Sequence, residues 1–186
     1  IAFHDVNPNR IYLMGRSAGG DGVYQLSTRM ADRFAATAMM AGHPNETSPL
    51  GLRNIGFTIQ MGEKDSAYDR NKVAINWRER LEFLKENDSE GYNHWVAIYK
   101  DKGHWVDYLD SSAIGWITTF KRNPYPKKVV WKQDDVMHNR FYWLRVNDPI
   151  ERSLIIASIS DQTINIEETT LSEFIIMLND DMINMD

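Results

Sequence analysis

Gly15-Arg16-Ser17-Ala18-Gly19-Gly20 constrains this chain more than any other stretch. It follows a short apolar run, Ile11-Tyr12-Leu13-Met14, and precedes a segment that reads as a helix from Asp21 to Met30. A serine between a strand and a helix, with small residues on both sides, predicts a sharp turn that lifts its hydroxyl out of a sheet edge. Such a turn presses backbone against backbone, and Gly15, Ala18, Gly19 and Gly20 leave the room it needs.

The rest of the first two-thirds alternates. Ile11–Met14 and Ala35–Met40 are uniformly apolar, which suits parallel strands buried on both faces. Gly56–Met61 and Trp95–Tyr99 read as two further strands. Between them, Arg70–Asn87 reads as a helix with Val73, Trp77, Leu81 and Leu84 on one stripe and charges elsewhere. In the first helix Val23, Leu26 and Met30 share a face, and Ser111 or Ser112 is placed to cap a final helix running to Arg122. This grammar predicts an α/β domain over residues 1–122, its sheet mostly parallel with helices on both faces.

After Asn123-Pro124-Tyr125-Pro126 the pattern changes. Val129–Lys132, Phe141–Val146, Leu154–Ser160, Thr163–Glu168 and Glu173–Leu178 read as strands, with Asp161-Gln162 as a hairpin turn. Residues 127–186 are therefore expected to form a β-rich accessory module, its aromatics from Trp131 to Trp143 building a core.

A strand–Gly-x-Ser-x-Gly–helix arrangement is a nucleophile elbow, in which the serine needs a base and the base needs an orienting acid. Downstream, Asp65 follows one strand and His104 follows the next. The order Ser17, Asp65, His104 places all three where strands give way to loops, at one edge of the sheet. Asp69 is the rival acid, and Asp101, Asp107 and Asp110 are weaker candidates because they flank the histidine in sequence. Among the five histidines, His4, His94 and His138 lie on the wrong edge or in the β-rich part, and His43 precedes the acid. The Ala18 N–H is the candidate half of an oxyanion hole. Arg16 and Asp21 flank the serine, as pocket residues or as helix-terminus charges.

The net charge of −5 with no basic stripe gives no footprint for nucleic acid or an anionic membrane. With no cysteine there is no thiol nucleophile or thiolate metal site. No Walker loop, dinucleotide glycine fingerprint or His-Glu-x-x-His pattern occurs, so neither cofactor nor metal is expected. No apolar run reaches membrane-spanning length. Localisation stays open, an exported or periplasmic protein being compatible with this composition.

Three segments together resemble the α/β-hydrolase superfamily, in the branch of prolyl oligopeptidase-like esterases, dienelactone hydrolases and polyhydroxybutyrate depolymerase-like esterases. They are Asn7-Pro8-Asn9-Arg10-Ile11-Tyr12-Leu13-Met14-Gly15-Arg16-Ser17-Ala18-Gly19-Gly20, then Gly62-Glu63-Lys64-Asp65, then Gly103-His104. The resemblance implies the C-terminal half of an α/β-hydrolase sheet and hydrolysis through an acyl-enzyme. Ser17 would attack, His104 shuttle the proton and Asp65 orient His104. The substrate would be a small or polymer-borne carboxylic ester. A peptide amide and a non-catalytic binding role on the same scaffold are the alternatives. The family's early strands, with the second oxyanion donor, have no counterpart here. The chain is thus expected to be a piece of a longer protein, poorly active or unstable alone.

Overall fold

The structure, a computed structural model, describes residues 4–185. Strands β1 (Tyr12–Arg16), β2 (Ala36–Met40), β3 (Gly56–Gly62) and β4 (His94–Tyr99) form a parallel sheet in the order β1-β2-β3-β4. Helix α1 (Ala18–Arg29) links β1 to β2, α2 (Arg70–Asn87) links β3 to β4, and α3 (Ser112–Ile117) follows β4.

Side chains alternate across these apolar strands and give each face its own partner. Ala36, Ala38 and Met40 pack with Ala113 and Ile117 of α3 on one face. Met39, Phe57, Ile59 and Met61 pack with Val23 and Tyr24 of α1 and Ala74, Trp77 and Leu81 of α2 on the other. The expected mixed α/β architecture with a parallel sheet is present, and helices cover both faces.

Several local expectations change. α1 starts at Ala18 rather than Asp21. Its first turn holds Gly19 and Gly20, poor helix formers, so propensity conceals it. Its buried face is Val23, Tyr24, Ser27 and Thr28, while Leu26 is 40% exposed. Ser27 Oγ donates to Thr37 Oγ1 at 2.8 Å and Thr28 Oγ1 to the Tyr24 carbonyl at 3.1 Å, so polar residues are buried at little cost. β1 is not buried on both faces: it is an edge strand of the four, and Met14 is exposed. α3 stops at Ile117, well short of Arg122. The Thr118 and Thr119 hydroxyls turn back onto the Gly115 and Trp116 carbonyls, offering the backbone an alternative to further helix.

The C-terminal part holds two antiparallel sheets. β5 (Lys128–Lys132), β8 (Leu154–Ser160) and β9 (Thr163–Thr169) form one, in the order β5-β8-β9. β6 (Arg140–Phe141), β7 (Leu144–Arg145) and β10 (Ile175–Ile176) form the other, in the order β10-β7-β6. The single strand expected over Phe141–Val146 is a tight hairpin, with Tyr142 at φ 51° and Phe141 paired to Leu144. The hairpin buries Phe141, Tyr142 and Trp143 together, and Trp143 Nε1 donates to the Pro126 carbonyl at 2.9 Å. Of the expected Glu173–Leu178 strand only Ile175–Ile176 pairs. The turn at Asp161-Gln162 joins β8 to β9 as expected, with Asp161 at φ 52°.

Residues from both sides of the two prolines share one apolar cluster. Val129, Trp131, Phe141, Trp143, Leu144 and Ile155 belong to the same apolar cluster as Tyr24, Phe57 and Trp77. Polar ties reinforce it. Arg29 Nε meets both Asp134 carboxylate oxygens at 2.9 Å, and Asn54 Nδ2 donates to the Lys128 carbonyl at 2.9 Å.

Candidate active site

Ser17 sits at the hinge between β1 and α1 with φ 57° and ψ −123°, a conformation costly for a residue with a side chain. Packing holds it there. A Cβ on Gly15 would strike the Gly19 carbonyl, and one on Gly20 would lie 2.5 Å from the Met40 carbonyl oxygen. Gly19 itself faces open space, so its side-chain position is not what the turn requires. The Ser17 N–H donates to the Met40 carbonyl at 2.9 Å, fixing the elbow to β2.

The loops after β3 and β4 touch directly. Lys64 N–H donates to the Lys102 carbonyl at 2.7 Å, and Gly62 lies so close to Gly103 that a Cβ would collide with that carbonyl. This approach brings Asp65 to His104: Asp65 Oδ2 lies 2.7 Å from Nδ1. On the other side of the ring, Nε2 lies 3.0 Å from Ser17 Oγ. Asp65 is 2% exposed, whereas the His104 side chain is 42% exposed. An ionised carboxylate only accepts hydrogen bonds, so Nδ1 must donate to it. That tautomer leaves the Nε2 lone pair free to accept the Ser17 hydroxyl proton.

The loop carrying the acid is braced as well. Arg70 Nη1 lies 3.7 Å from Asp65 Oδ1, and its guanidinium sits over Tyr68, 4.9 Å from the ring centroid. The Asn71 N–H donates to the Asp65 carbonyl at 3.0 Å, and its side-chain amide to the Glu63 carbonyl at 2.7 Å. The rival Asp69 points elsewhere, 2.7 Å from Lys72 Nζ. Its hydrogen bond to that ammonium, and the ammonium's charge, hold its carboxyl below the usual range.

Ala18 occupies the first turn of α1, where N–H groups have no carbonyl four residues back. Asp21 is the acidic residue in the first turn of α1. Its Oδ1 accepts the His43 N–H at 2.7 Å and so anchors the loop after β2. His43 turns to Asn45, whose N–H donates to Nδ1 at 3.0 Å. Arg16 reaches the segment after β4: it donates to the His104 carbonyl, lies 3.5 Å from Asp110 and sits over Trp105.

Sequence reasoning missed Arg70, Trp105 and the part Asp110 plays. Only the placement of Arg70 just past the acid loop, and of Trp105 beside the histidine, marks them in the sequence. Among the described residues no group of three or more His, Asp or Glu side chains could hold a metal ion. Likewise, no described helix is long and apolar enough to cross a membrane.

No protein-family model matches the sequence, and no curated protein matches it. Among solved structures, that of a protein named FAE is similar at 18% identity, over 59% of this chain and 44% of that one, with a TM-score of 0.38. The chain thus spans under half the length of that protein, and a likeness of this degree bears on neither activity nor site.

Proposed function

We propose that the protein is a serine hydrolase of the α/β-hydrolase kind, cleaving carboxylic esters through an acyl-enzyme. One observation carries the reading: three side chains from three separate loops form a continuous hydrogen-bonded chain, Asp65 to His104 to Ser17, at 2.7 and 3.0 Å. Ser17 Oγ attacks the ester carbonyl carbon while His104 Nε2 takes the hydroxyl proton. The carbonyl oxygen gains the negative charge and receives the Ala18 N–H at the positive end of α1. Collapse breaks the bond to the alcohol oxygen, which leaves with the proton from His104. Water then gives a proton to Nε2 and attacks the acyl carbon. The bond to Ser17 breaks, its oxygen recovers the proton, and the carboxylic acid departs. Asp65 accepts from Nδ1–H throughout and stabilises the imidazolium that forms twice.

A fluorophosphonate probe on the full-length protein tests this. Covalent labelling that disappears in Ser17→Ala is the expected result. Absence of labelling on folded wild-type protein overturns the reading. Rates on a short-chain aryl ester and a peptide anilide then separate esterase from peptidase.

A further inference from the structure

Arg16 ends β1 and immediately precedes Ser17, yet its side chain serves the loop after β4. Its Nη2 donates to the backbone carbonyl of His104. Its Nε lies 3.5 Å from Asp110 Oδ2, and its guanidinium carbon is 4.3 Å from the centroid of the Trp105 ring. The Arg16 and Asp110 side chains are 28% and 11% exposed, so the pair is more shielded than an ordinary surface ion pair. The planar fork lets one side chain bond a carbonyl, meet a carboxylate and stack on a ring together.

The loop needs such a hold. Asp101, Asp107 and Tyr108 all lie at positive φ, between 51° and 63°, and none is glycine. Such backbone conformations are costly for residues with a side chain unless their surroundings impose them. Lys102 Nζ to Asp107 at 2.6 Å is a brace within the loop, whereas Tyr99 Oη to the Leu109 carbonyl at 2.9 Å ties it back to β4. Arg16 ties it to the elbow, and does so at the backbone of His104 itself.

We propose that Arg16 is a positioning residue, a latch that holds the His104 segment at a fixed height over the nucleophile. Its consequence for rate rests on the serine-hydrolase reading, but the latch itself does not. A lysine cannot reproduce the fork, and an alanine releases all three contacts. The gap between Nε2 and Ser17 Oγ then depends on a loop that no longer has its anchor, and a displacement near 1 Å costs about 100-fold in rate.

The test uses full-length Arg16→Ala, Arg16→Lys and Asp110→Asn with two readouts. Hydrogen exchange over residues 103–111 reports the latch without any catalysis. The kcat and KM for a short-chain aryl ester report its effect on chemistry. Faster exchange in Arg16→Ala, with kcat down about 100-fold and KM little changed, is the expected outcome, Arg16→Lys recovering only a small part. Unchanged exchange over 103–111 overturns the latch, and so does a loss carried by KM, which would make Arg16 a substrate contact. Faster exchange in a protein whose wild type takes no fluorophosphonate label keeps the latch and removes the hydrolase reading. Should Arg16→Ala not fold, Arg16→Lys and Asp110→Asn decide by the same two readouts.

Discussion

Asp65 and His104 are 39 residues apart in the chain and 2.7 Å apart in space, joined by loops that touch only because Gly62 has no side chain. In the hydrolase reading this contact fixes the imidazole tautomer. Asp65→Asn should lower kcat by about 10⁴-fold, the loss typical when a triad acid becomes an amide. Asp69→Asn removes only an exposed pair with Lys72 and should leave kcat within a few-fold, roughly the reach of a surface charge change. Steady-state kinetics on both variants decides, and a larger loss at Asp69 would reverse the assignment.

Glycine substitutions should split by position. Gly15→Ala sets a methyl against the Gly19 backbone, which cannot yield without moving Ser17. We expect loss of activity and of stability together. Gly22→Ala, inside α1 with open space at its Cβ, should instead stabilise by about 1 kcal/mol. Denaturant midpoints and circular dichroism compare the two.

Tyr24, Tyr92 and Tyr142 are buried, and burial pushes each phenol well above its ordinary value. The stability they contribute is therefore fully present below an unfolded-state pKa of about 10 and lost as pH rises beyond it, because the unfolded chain releases protons the folded one keeps. Melting temperature should fall steeply above about pH 10, with the phenolate absorbance of these three residues appearing only on unfolding while exposed tyrosines such as Tyr68 and Tyr108 ionise in the folded protein. Phenolate absorbance from all three in the native protein would refute this.

Arg53 and Asp88 form a two-pronged pair, with Nε–Oδ2 at 2.7 Å and Nη2–Oδ1 at 2.8 Å. Burial raises the Asp88 carboxyl, but Arg53, Lys128 and the Gly91 N–H outweigh it and hold it below the usual range. Its contribution is present above an unfolded-state pKa of about 4 and lost as pH falls through the lower folded value. Asp88→Ala leaves the buried Arg53 guanidinium without its carboxylate, holding only its Nη1 bonds to Asn54 and the Lys128 carbonyl, and should cost about 3 kcal/mol at neutral pH. Its stability difference from wild type should shrink in acid; a constant difference across pH would show that the charge pair is not its source.

The apolar cluster shared by the α/β and β-rich parts predicts one unfolding transition. Tryptophan fluorescence and far-ultraviolet circular dichroism should coincide through it. Two resolved transitions would instead support an independent module after the prolines.

The local turns and the buried strands were legible in the sequence because they depend on residues near one another. Small residues around Ser17, apolar runs ending in breakers and the 160–163 hairpin all carry their own physical reason. The order of serine, acid and histidine likewise followed from strands ending before each. Other features had no local signature. Burial of the Ser27 and Thr28 face depends on Thr37 and on the Tyr24 carbonyl, and the Tyr142 turn on three aromatic rings finding one cavity. Asp65, already placed ahead of Asp69 by the sequence, meets His104 because the Gly62 and Gly103 loops touch, and Arg16 meets its partners only on the segment that follows β4. Periodicity and small-residue spacing encode what a segment can become. Which side chains meet is set by long-range packing, because a contact between residues dozens of positions apart leaves no mark on either neighbourhood.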